Sequence, residues 1–376
     1  MRIGIDISAL VFGRGVSRYK ANLVRSLLQL KQHPIYAYGT SLRQKAVLEA
    51  FIRSQRSPTL AGAALQSYPP TVLELLWRFG QNPIQKQLPN IDVFHSWDWL
   101  QPPDVNLPIV STIHDVAILR FPETAHPKVV AMHQRAWKLL KERQNDIIAV
   151  SQATKRDIVE LLQIPSYLVH VVPEALPSET TSAALALTEE RTEEIKKRLQ
   201  LDRPYLFFVG TREPRKNLAA LIKAWKPLSK DVDLLIAGAA GWDETSSSDL
   251  TEPGLRFLGR VSDEELVVLY AEASCFVFPS LYEGFGLPVL EAFYHGTPVV
   301  TSDVPALQEV GGNAAVYVQP KDVQSIREGI RTILEEDIEA QRRRLQRMVI
   351  RSQMFNWQKV AESTVEVYQA AIERRS

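Results

Sequence analysis

Two glutamates bracket a glycine-containing turn in 278-FPSLYEGFGLPVLEAFYHGTPVVTSDVPALQEVGG-312. Glu283 precedes Gly284-Phe285-Gly286-Leu287, and Glu291 follows it. The apolar run 275-CFVFP-279 reads as a strand, so the chain must turn here into its next helix. Gly284 and Gly286 permit a tight turn and close approach of backbone to a ligand. Pro288 fits the first helical position, where its missing N–H costs nothing. The free N–H groups and the positive end of that helix then form an anion site. Glu291, expected in the first turn, can accept hydrogen bonds from vicinal hydroxyls such as those of a ribose. Glu283 stands in the loop on the other side of the anion. Carboxylates on both sides of a phosphate suit a ligand with hydroxyls at both ends, such as a nucleotide sugar. A capped helix whose acids only complement its dipole is the plainer alternative.

A second group of charges lies in 209-VGTREPRKNL-218, after the strand 205-YLFFVG-210. Beyond Gly210, the residues Arg212, Arg215 and Lys216 crowd a strand-to-loop junction, where α/β proteins place ligands. Arginine offers bidentate contact to phosphate and lysine a point charge; a solvated basic loop would have the same composition. In 12-FGRGVSRYKANLVRSLLQL-30, helical spacing puts Val16, Tyr19, Leu23, Leu27 and Leu30 on one stripe and Arg14, Arg18 and Arg25 on the other side. Those arginines are placed to meet anionic lipid or an acceptor phosphate, or simply water. Gly13 and Gly15 supply a flexible turn, but the dinucleotide fingerprint G-x-G-x-x-G fails. Arg18 occupies its last glycine position, and His33 lies where an acid belongs. A nicotinamide-dependent oxidoreductase is therefore disfavoured. Finally, 109-IVSTIHDVAILRFPE-123 ends an apolar strand on His114 and Asp115, and 91-IDVFH-95 ends on His95. A histidine there can exchange a proton with a substrate hydroxyl near neutral pH, although a packed histidine is the commoner case. Neither histidine has metal-site spacing, and 231-DVD-233 is only a short acidic pair.

The elements that must hold these residues alternate strand and helix twice over. The first half offers strands at 2-RIGIDI-7, 91-IDVFH-95, 109-IVSTIH-114, 146-DIIAV-150 and 169-VHVV-172. The second offers 205-YLFFVG-210, 233-DLLIAG-238, 255-LRFLG-259, 275-CFVFP-279, 298-PVVTS-302 and 316-VYV-318. Runs apolar throughout suit strands buried on both faces, so two doubly wound α/β domains are expected. The Ser/Thr-rich start of 177-PSETTSAALALTEERTEEIKKRLQLDRP-204 reads as a linker and its charged end as a lead-in helix. The expected division is 1–175, a linker and helix over 176–202, a second domain over 203–358, and a final helix over 359–376 carrying Val360, Thr364, Val367 and Ala371 at helical spacing.

The 376 residues suffice for two domains, and a net charge of +1 gives no general attraction to nucleic acid. The single cysteine, Cys275, cannot form an intrachain disulfide, which suits a reducing compartment. No apolar run reaches the length of a membrane span, and MRIGIDISALVF carries Asp6 and lacks a cleavage site. A soluble cytoplasmic protein is expected.

In order and spacing the motifs resemble the retaining glycosyltransferases of family 4, over nearly the whole chain. The resemblance rests on 13-GRGVSRY-19, 112-TIHD-115, 149-AVSQATKRDI-158, 209-VGTREPRKNL-218, 302-SDVPALQEVGG-312, 355-FNWQKVA-361 and, above all, the Glu283 and Glu291 pair. It implies the GT-B fold: two Rossmann-like doubly wound domains facing a central cleft, the first binding acceptor and the second donor, with a C-terminal helix crossing back to the first. It further implies that Glu291 holds the donor ribose and Glu283 the sugar hydroxyls, while Lys216 and Arg215 neutralise the leaving diphosphate. Backbone from Gly284 to Leu287 would contact sugar and phosphate, His114 would be an active-site histidine, and Gly15 would let the first loop approach. Gly210 and Arg212 would belong to the donor site. The implied reaction moves a hexose from GDP- or UDP-hexose to an acceptor hydroxyl with retention, without metal or other cofactor. The acceptor would be a carbohydrate or lipid-linked glycan, with peripheral contact at the inner face of the membrane; a non-catalytic sugar-nucleotide-binding protein is the alternative. Two positions depart from the family pattern: Ser17 stands where a second glycine is common, and 173-PEAL-176 replaces an Asn-Gly pair.

Overall fold

Two separate parallel sheets, each covered by helices, carry the motifs. The computed structural model describes residues 1–13, 15–241 and 252–375. They divide into one unit of Met1–Pro177 with Asn356–Ser376 and another of Ser178–Phe355.

The first unit contains β1 (Ile3–Asp6), β2 (Ile35–Thr40), β3 (Leu60–Gln66), β4 (Val93–Ser96), β5 (Ile109–Ile113), β6 (Asp146–Ala149) and β7 (Val169–Val171). They pair in the order β3-β2-β1-β4-β5-β6-β7, all parallel. The central strands β1, β4, β5 and β6 are buried along their length, as their apolar runs require. β1 pairs Ile3 with both Ile35 of β2 and Val93 of β4. Strand order reverses beside it, so loops leaving the carboxyl ends diverge and open a crevice there. Two strands were not anticipated. β2, IYAYGT, carries residues suited to a strand; β3, LAGAALQ, is a half-exposed edge strand rich in Gly and Ala, which announce nothing.

The C-terminal helix, Trp357–Glu373, belongs to this first unit and begins two residues ahead of the expected 359. Asn356 caps it, accepting the Lys359 N–H at 3.0 Å. Val360, Ala361, Val365 and Tyr368 enter the core of β1 and β4, where each larger apolar side chain contributes about 1.5–3 kcal/mol of burial. The helix lies against Gly15–Leu30, which changes the reading of that element. Lys20, Asn22 and Ser26 are buried beside Leu23 and Leu27, whereas Val16 is exposed. Arg18 and Arg25 are half-buried, and the Arg25 guanidinium lies 5.6 Å from the Phe51 ring. The expected open arginine face is thus not present in Arg18 and Arg25; Arg14 lies outside the described residues.

The second unit contains β8 (Tyr205–Val209), β9 (Asp233–Ala237), β10 (Leu255–Gly259), β11 (Cys275–Phe278), β12 (Val299–Ser302) and β13 (Val316–Val318). Their order, β10-β9-β8-β11-β12-β13, places the reversal between β8 and β11. The expected charged lead-in helix is Glu189–Leu199, but the stretch before it, expected as a linker, is instead a second helix, Ser178–Ala186; both pack against helix Asp263–Ala271 of this unit. Ala183, Ala184, Leu185 and Ala186 are strong helix formers and outweigh the preceding serines and threonines. Cys275 is fully buried in β11, which pushes its thiol up to about 12 and leaves it unreactive.

Candidate active site

The loops leaving β8 and β11 are joined at the reversal point of the second sheet. Leu281 N–H donates to the Arg215 carbonyl at 2.7 Å. Asn217, held at φ +60°, ends the single turn Pro214–Lys216 and donates its amide to the carbonyls of Pro279 at 3.0 Å and Pro320 at 2.6 Å. Pinned in this way, Lys216 Nζ reaches Glu283 Oε1 at 2.6 Å. Arg215 Nη1 reaches Glu283 Oε2 and the Tyr282 carbonyl, each at 3.2 Å, while its Nε donates to Glu213 at 2.9 Å. Burial pushes the Glu283 carboxyl upward, but the charges of Lys216 and Arg215 outweigh it and hold the group below the usual carboxylate range. The carboxylate is therefore fixed as an acceptor. The structure brings Arg215, Lys216 and Glu283 together as an ion triad, whereas the sequence had assigned the two cations to phosphate alone. The ammonium, 4.8 Å from the centre of the Phe278 ring, donates one of its three hydrogens to Glu283.

Arg212 precedes the triad on the same loop. Its guanidinium lies 5.4 Å from the Phe257 ring, and its Nη1 is buried with no hydrogen-bond partner among the described residues. A buried donor without an acceptor is uncommon, and here it suits a ligand anion. Gly210 donates its N–H to the Ala237 carbonyl at 3.0 Å. Opposite it, Gly238 sits at φ +130°, where a Cβ would fall 2.0 Å from the Gly210 oxygen. Only glycine lets the ends of β8 and β9 meet.

In the other loop Gly284 is buried, and Phe285 turns inward onto Phe355 with ring centroids 5.5 Å apart. Gly286 takes φ +113° and would put a Cβ 2.6 Å from Leu307 Cδ2. Helix Leu287–Tyr294 follows directly. Leu287 is its first residue, so Pro288 stands second and Glu291 opens the second turn rather than lying in the first. Glu291 is 6% exposed, and its Oε2 accepts the Tyr270 hydroxyl at 3.0 Å. Burial, and then the Glu291 charge, keep that phenol protonated.

In the first unit His114 follows β5, and its Nδ1 lies 2.6 Å from Glu174 Oε1. With a carboxylate partner, Nδ1 carries the proton. Burial pushes the His114 pKa down, but the Glu174 hydrogen bond and charge prevail and raise it above 6.5. Tyr19 packs edge-on to the imidazole at 4.7 Å, and its hydroxyl shares a hydrogen bond with Thr112 at 3.3 Å. His95, by contrast, is fully buried between Thr112 at 2.9 Å and Tyr368 at 2.7 Å; burial holds it neutral as a packing histidine. Gly15 opens its helix in a position where a Cβ would meet nothing, so local packing does not require glycine. Ser17 turns inward and donates to the Ala9 carbonyl at 2.6 Å. Sequence reasoning missed Tyr270, which no motif marks. It noted Glu174 only as a departure from a pattern, and that departure was the signal for the His114 partner.

Among the described residues no three His, Cys, Asp or Glu side chains group as metal ligands would. No helix among them is long and apolar enough to cross a membrane. The family description Glycosyltransferase Family 4 matches residues 13–179, and Glycosyl transferases group 1 matches residues 190–348. O-antigen chain mannosyltransferase B of Escherichia coli is 33% identical over 69% of this chain and 69% of its own. The chain belongs to glycosyltransferase family 4. A second relative of this family-4 enzyme, the serotype-specific mannosyltransferase WbdA of Escherichia coli, is 31% identical over 60% of this chain but only 29% of its own length. The crystal structure of Anabaena Alr3699/HepE in complex with UDP and glucose aligns with a TM-score of 0.69 at 15% identity, covering 98% of this chain and 100% of that one. That likeness shows a shared fold. The family-4 protein is accordingly a hexosyltransferase with GT-B architecture.

Proposed function

We propose that this enzyme moves a hexosyl group, mannosyl in preference to glucosyl, from a GDP- or UDP-sugar onto a glycan or lipid-linked glycan hydroxyl with retention at the anomeric carbon. The observation that carries the reading is Glu283, buried and fixed as an anion by Lys216 and Arg215 at the reversal point of the second sheet. A carboxylate tied to two cations is a weak nucleophile, yet its spare lone pairs can still accept sugar hydroxyls. It positions the hexose rather than attacking it. The orphaned Arg212 nitrogen, the remaining Lys216 hydrogens and the positive end of helix Leu287–Tyr294 are assigned to the diphosphate, whose growing charge dominates the barrier. These groups supply the positive charge, so the reading calls for no metal or other cofactor. Glu291 is assigned to the ribose, with Tyr270 fixing its orientation. Both mannosyltransferase relatives favour the mannosyl choice, and the UDP and glucose of HepE support a nucleotide-sugar donor.

A lipid-linked acceptor would also fit the exposed Val72, Leu75 and Phe79 on and beside helix Pro70–Arg78, next to the exposed Arg78. Binding to anionic liposomes that weakens with salt is the outcome expected of such a surface; no binding at low salt removes it.

The deciding experiment is thermal unfolding with GDP, UDP and ADP, followed by transfer assays with the stabilising nucleotide's mannose and glucose esters. A nucleotide at about 100 times its dissociation constant adds about 2.7 kcal/mol to the wild type. The shift should come from GDP or UDP and should shrink in Glu291→Gln. Stabilisation by ADP alone, or by none of the three, would overturn the donor assignment.

A further inference from the structure

A cavity of about 730 Å³ lies at the amino ends of β8, β11 and β12, the end of the second sheet away from Lys216 and Glu283. Pro204, Ser274 and Pro298, each just ahead of one of those strands, line it together with Leu334 of helix Val323–Leu334. Helix Ile338–Gln353 forms its other side. That helix is held to the unit by charged side chains. Arg344 is buried and donates to both Glu336 oxygens, at 3.0 and 2.6 Å, and Arg351 donates to the Val310 carbonyl at 2.8 Å. The apolar side chains stand outside instead: Ile338 is 75% exposed, Leu345 46% and Val349 44%. At 3.6 residues per turn these three fall within about 40° of one another. Ile338 and Leu345 also line the cavity. A row of large apolar side chains on the outer face of a charged helix marks a surface made for contact.

The charges along the helix say what that contact is. Glu335, Asp337 and Glu339 are exposed at its start. From Ala340 to Gln353 there is no acid, while Arg342 and Arg343 are exposed and Arg347 is half-buried. Arg342 reaches Glu339 at 3.4 Å, an exposed contact that solvent weakens. Arg347 Nε is buried with no hydrogen-bond partner among the described residues, an uncommon state for a donor. Acids first and arginines last also suit the dipole of a single helix. The dipole accounts for neither the apolar row nor the orphaned Arg347 nitrogen. An anionic membrane laid on this face would meet the acids at one end. A parallel second helix would set like charges side by side. An antiparallel second copy sets acids against arginines at both ends and apolar row against apolar row.

We propose that helix Ile338–Gln353 pairs antiparallel with the same helix of a second copy, giving a twofold-symmetric dimer through the second unit. Such an interface is self-complementary: each residue pair occurs twice, so one acid-to-arginine match serves both ends. Leu345 and Val349 of one copy cover those of the other, and an acid of the partner helix answers the Arg347 nitrogen. The cavity beside Ile338 and Leu345 gives the partner's apolar side chains room to enter. Because the helix borders the amino ends of the strands, pairing leaves Lys216, Glu283 and Glu291 of each copy uncovered.

The test is sedimentation equilibrium of the full chain at concentrations up to about 100 µM, where an association of micromolar Kd is nearly complete. The wild type should be a dimer. Leu345→Glu, which puts a charge into the apolar row, and Arg343→Glu, which sets acid against acid, should each weaken association by at least about tenfold. Both substitutions are at exposed positions, so thermal unfolding should stay cooperative, which shows that the variants are folded. Glu339→Lys should weaken self-association as well, but mixed with Arg343→Glu it should form a mixed dimer, because each helix then meets an opposite charge. A wild type that stays monomeric over the whole range overturns the proposal, as does a Leu345→Glu variant as dimeric as the wild type. Failure of the mixture to pair removes the antiparallel arrangement. Flotation of a monomeric chain with phosphatidylglycerol vesicles, lost in Leu345→Glu, would assign the face to a membrane and also overturn it.

Discussion

His114 and Glu174, sixty residues apart in sequence, meet with Nδ1 and Oε1 at 2.6 Å in the first unit. The carboxylate fixes which imidazole nitrogen carries the proton and raises the pKa of the ring. Because the folded value lies above 6.5, the pair adds stability that is full below pH 6.5 and is lost as pH rises through the folded value. Glu174→Gln should therefore lower stability by about 1–3 kcal/mol at about pH 5.5 and by much less at about pH 8.5. It should also move the histidine limb of the pH–rate profile to lower pH. Urea unfolding at the two pH values, with a pH–rate profile, checks both.

Lys216→Met should act on stability and turnover together. Removing one partner of a buried ion pair leaves Glu283 with Arg215 alone, a loss of up to about 3–5 kcal/mol where the charge cannot escape to water. The Glu283 value is depressed, so its contribution is present above the ordinary 4.5 and fades as pH falls through the folded value. Turnover should drop by about 10²–10³, the scale of one lost charge-stabilising donor. Single-turnover kinetics and denaturant melts separate the two effects. Full turnover in the variant would remove Lys216 from the chemistry.

Gly286→Ala meets two obstacles, a backbone at φ +113° and a Cβ 2.6 Å from Leu307 Cδ2. We expect about 1–3 kcal/mol of destabilisation from the backbone alone, with weakened nucleotide binding because the turn feeds the helix N-terminus. Adding Leu307→Ala should relieve the clash but not the dihedral strain. The double variant should therefore recover only part of the nucleotide-induced thermal shift.

Tyr368→Phe tests the structural assignment of His95. It deprives a fully buried imidazole nitrogen of its 2.7 Å partner, for a loss of about 1–3 kcal/mol. Kinetic constants measured well below the melting temperature should be unchanged. A selective fall in kcat would show that His95 acts in the reaction.

The second unit was more legible in sequence than the first, for physical reasons. Its strands are continuous apolar runs, and its site is local: Glu283, Gly286 and Pro288 stand within one turn, and Lys216 follows a strand end. Even so, the start of helix Leu287–Tyr294 was one residue off, which moved Glu291 from the end of the first turn into the second, and its partner Tyr270 lies in a separate helix that no motif marks. In the first unit the informative contacts span the chain. Glu174 is far in sequence from His114, and a cavity lined by Trp97, Asp98 and His133 is assembled from a loop and a distant helix. Periodicity misled at Gly15–Leu30 because it presumes one wet face, and the C-terminal helix lies against that element. Composition misled at 178–186, where the alanines prevailed.

The first unit is built from two pieces of chain separated by the whole of Ser178–Phe355. On a ribosome, the second unit can fold as soon as its own continuous segment emerges, but the first must wait until the segment from Asn356 onward has followed it out. Until then the surface that receives Val360, Val365 and Tyr368 is open and apolar. The order of maturation is thus the reverse of the order of synthesis. A chain halted late in the second unit would hold that unit nearly complete beside a first unit that cannot close, an obvious substrate for chaperones.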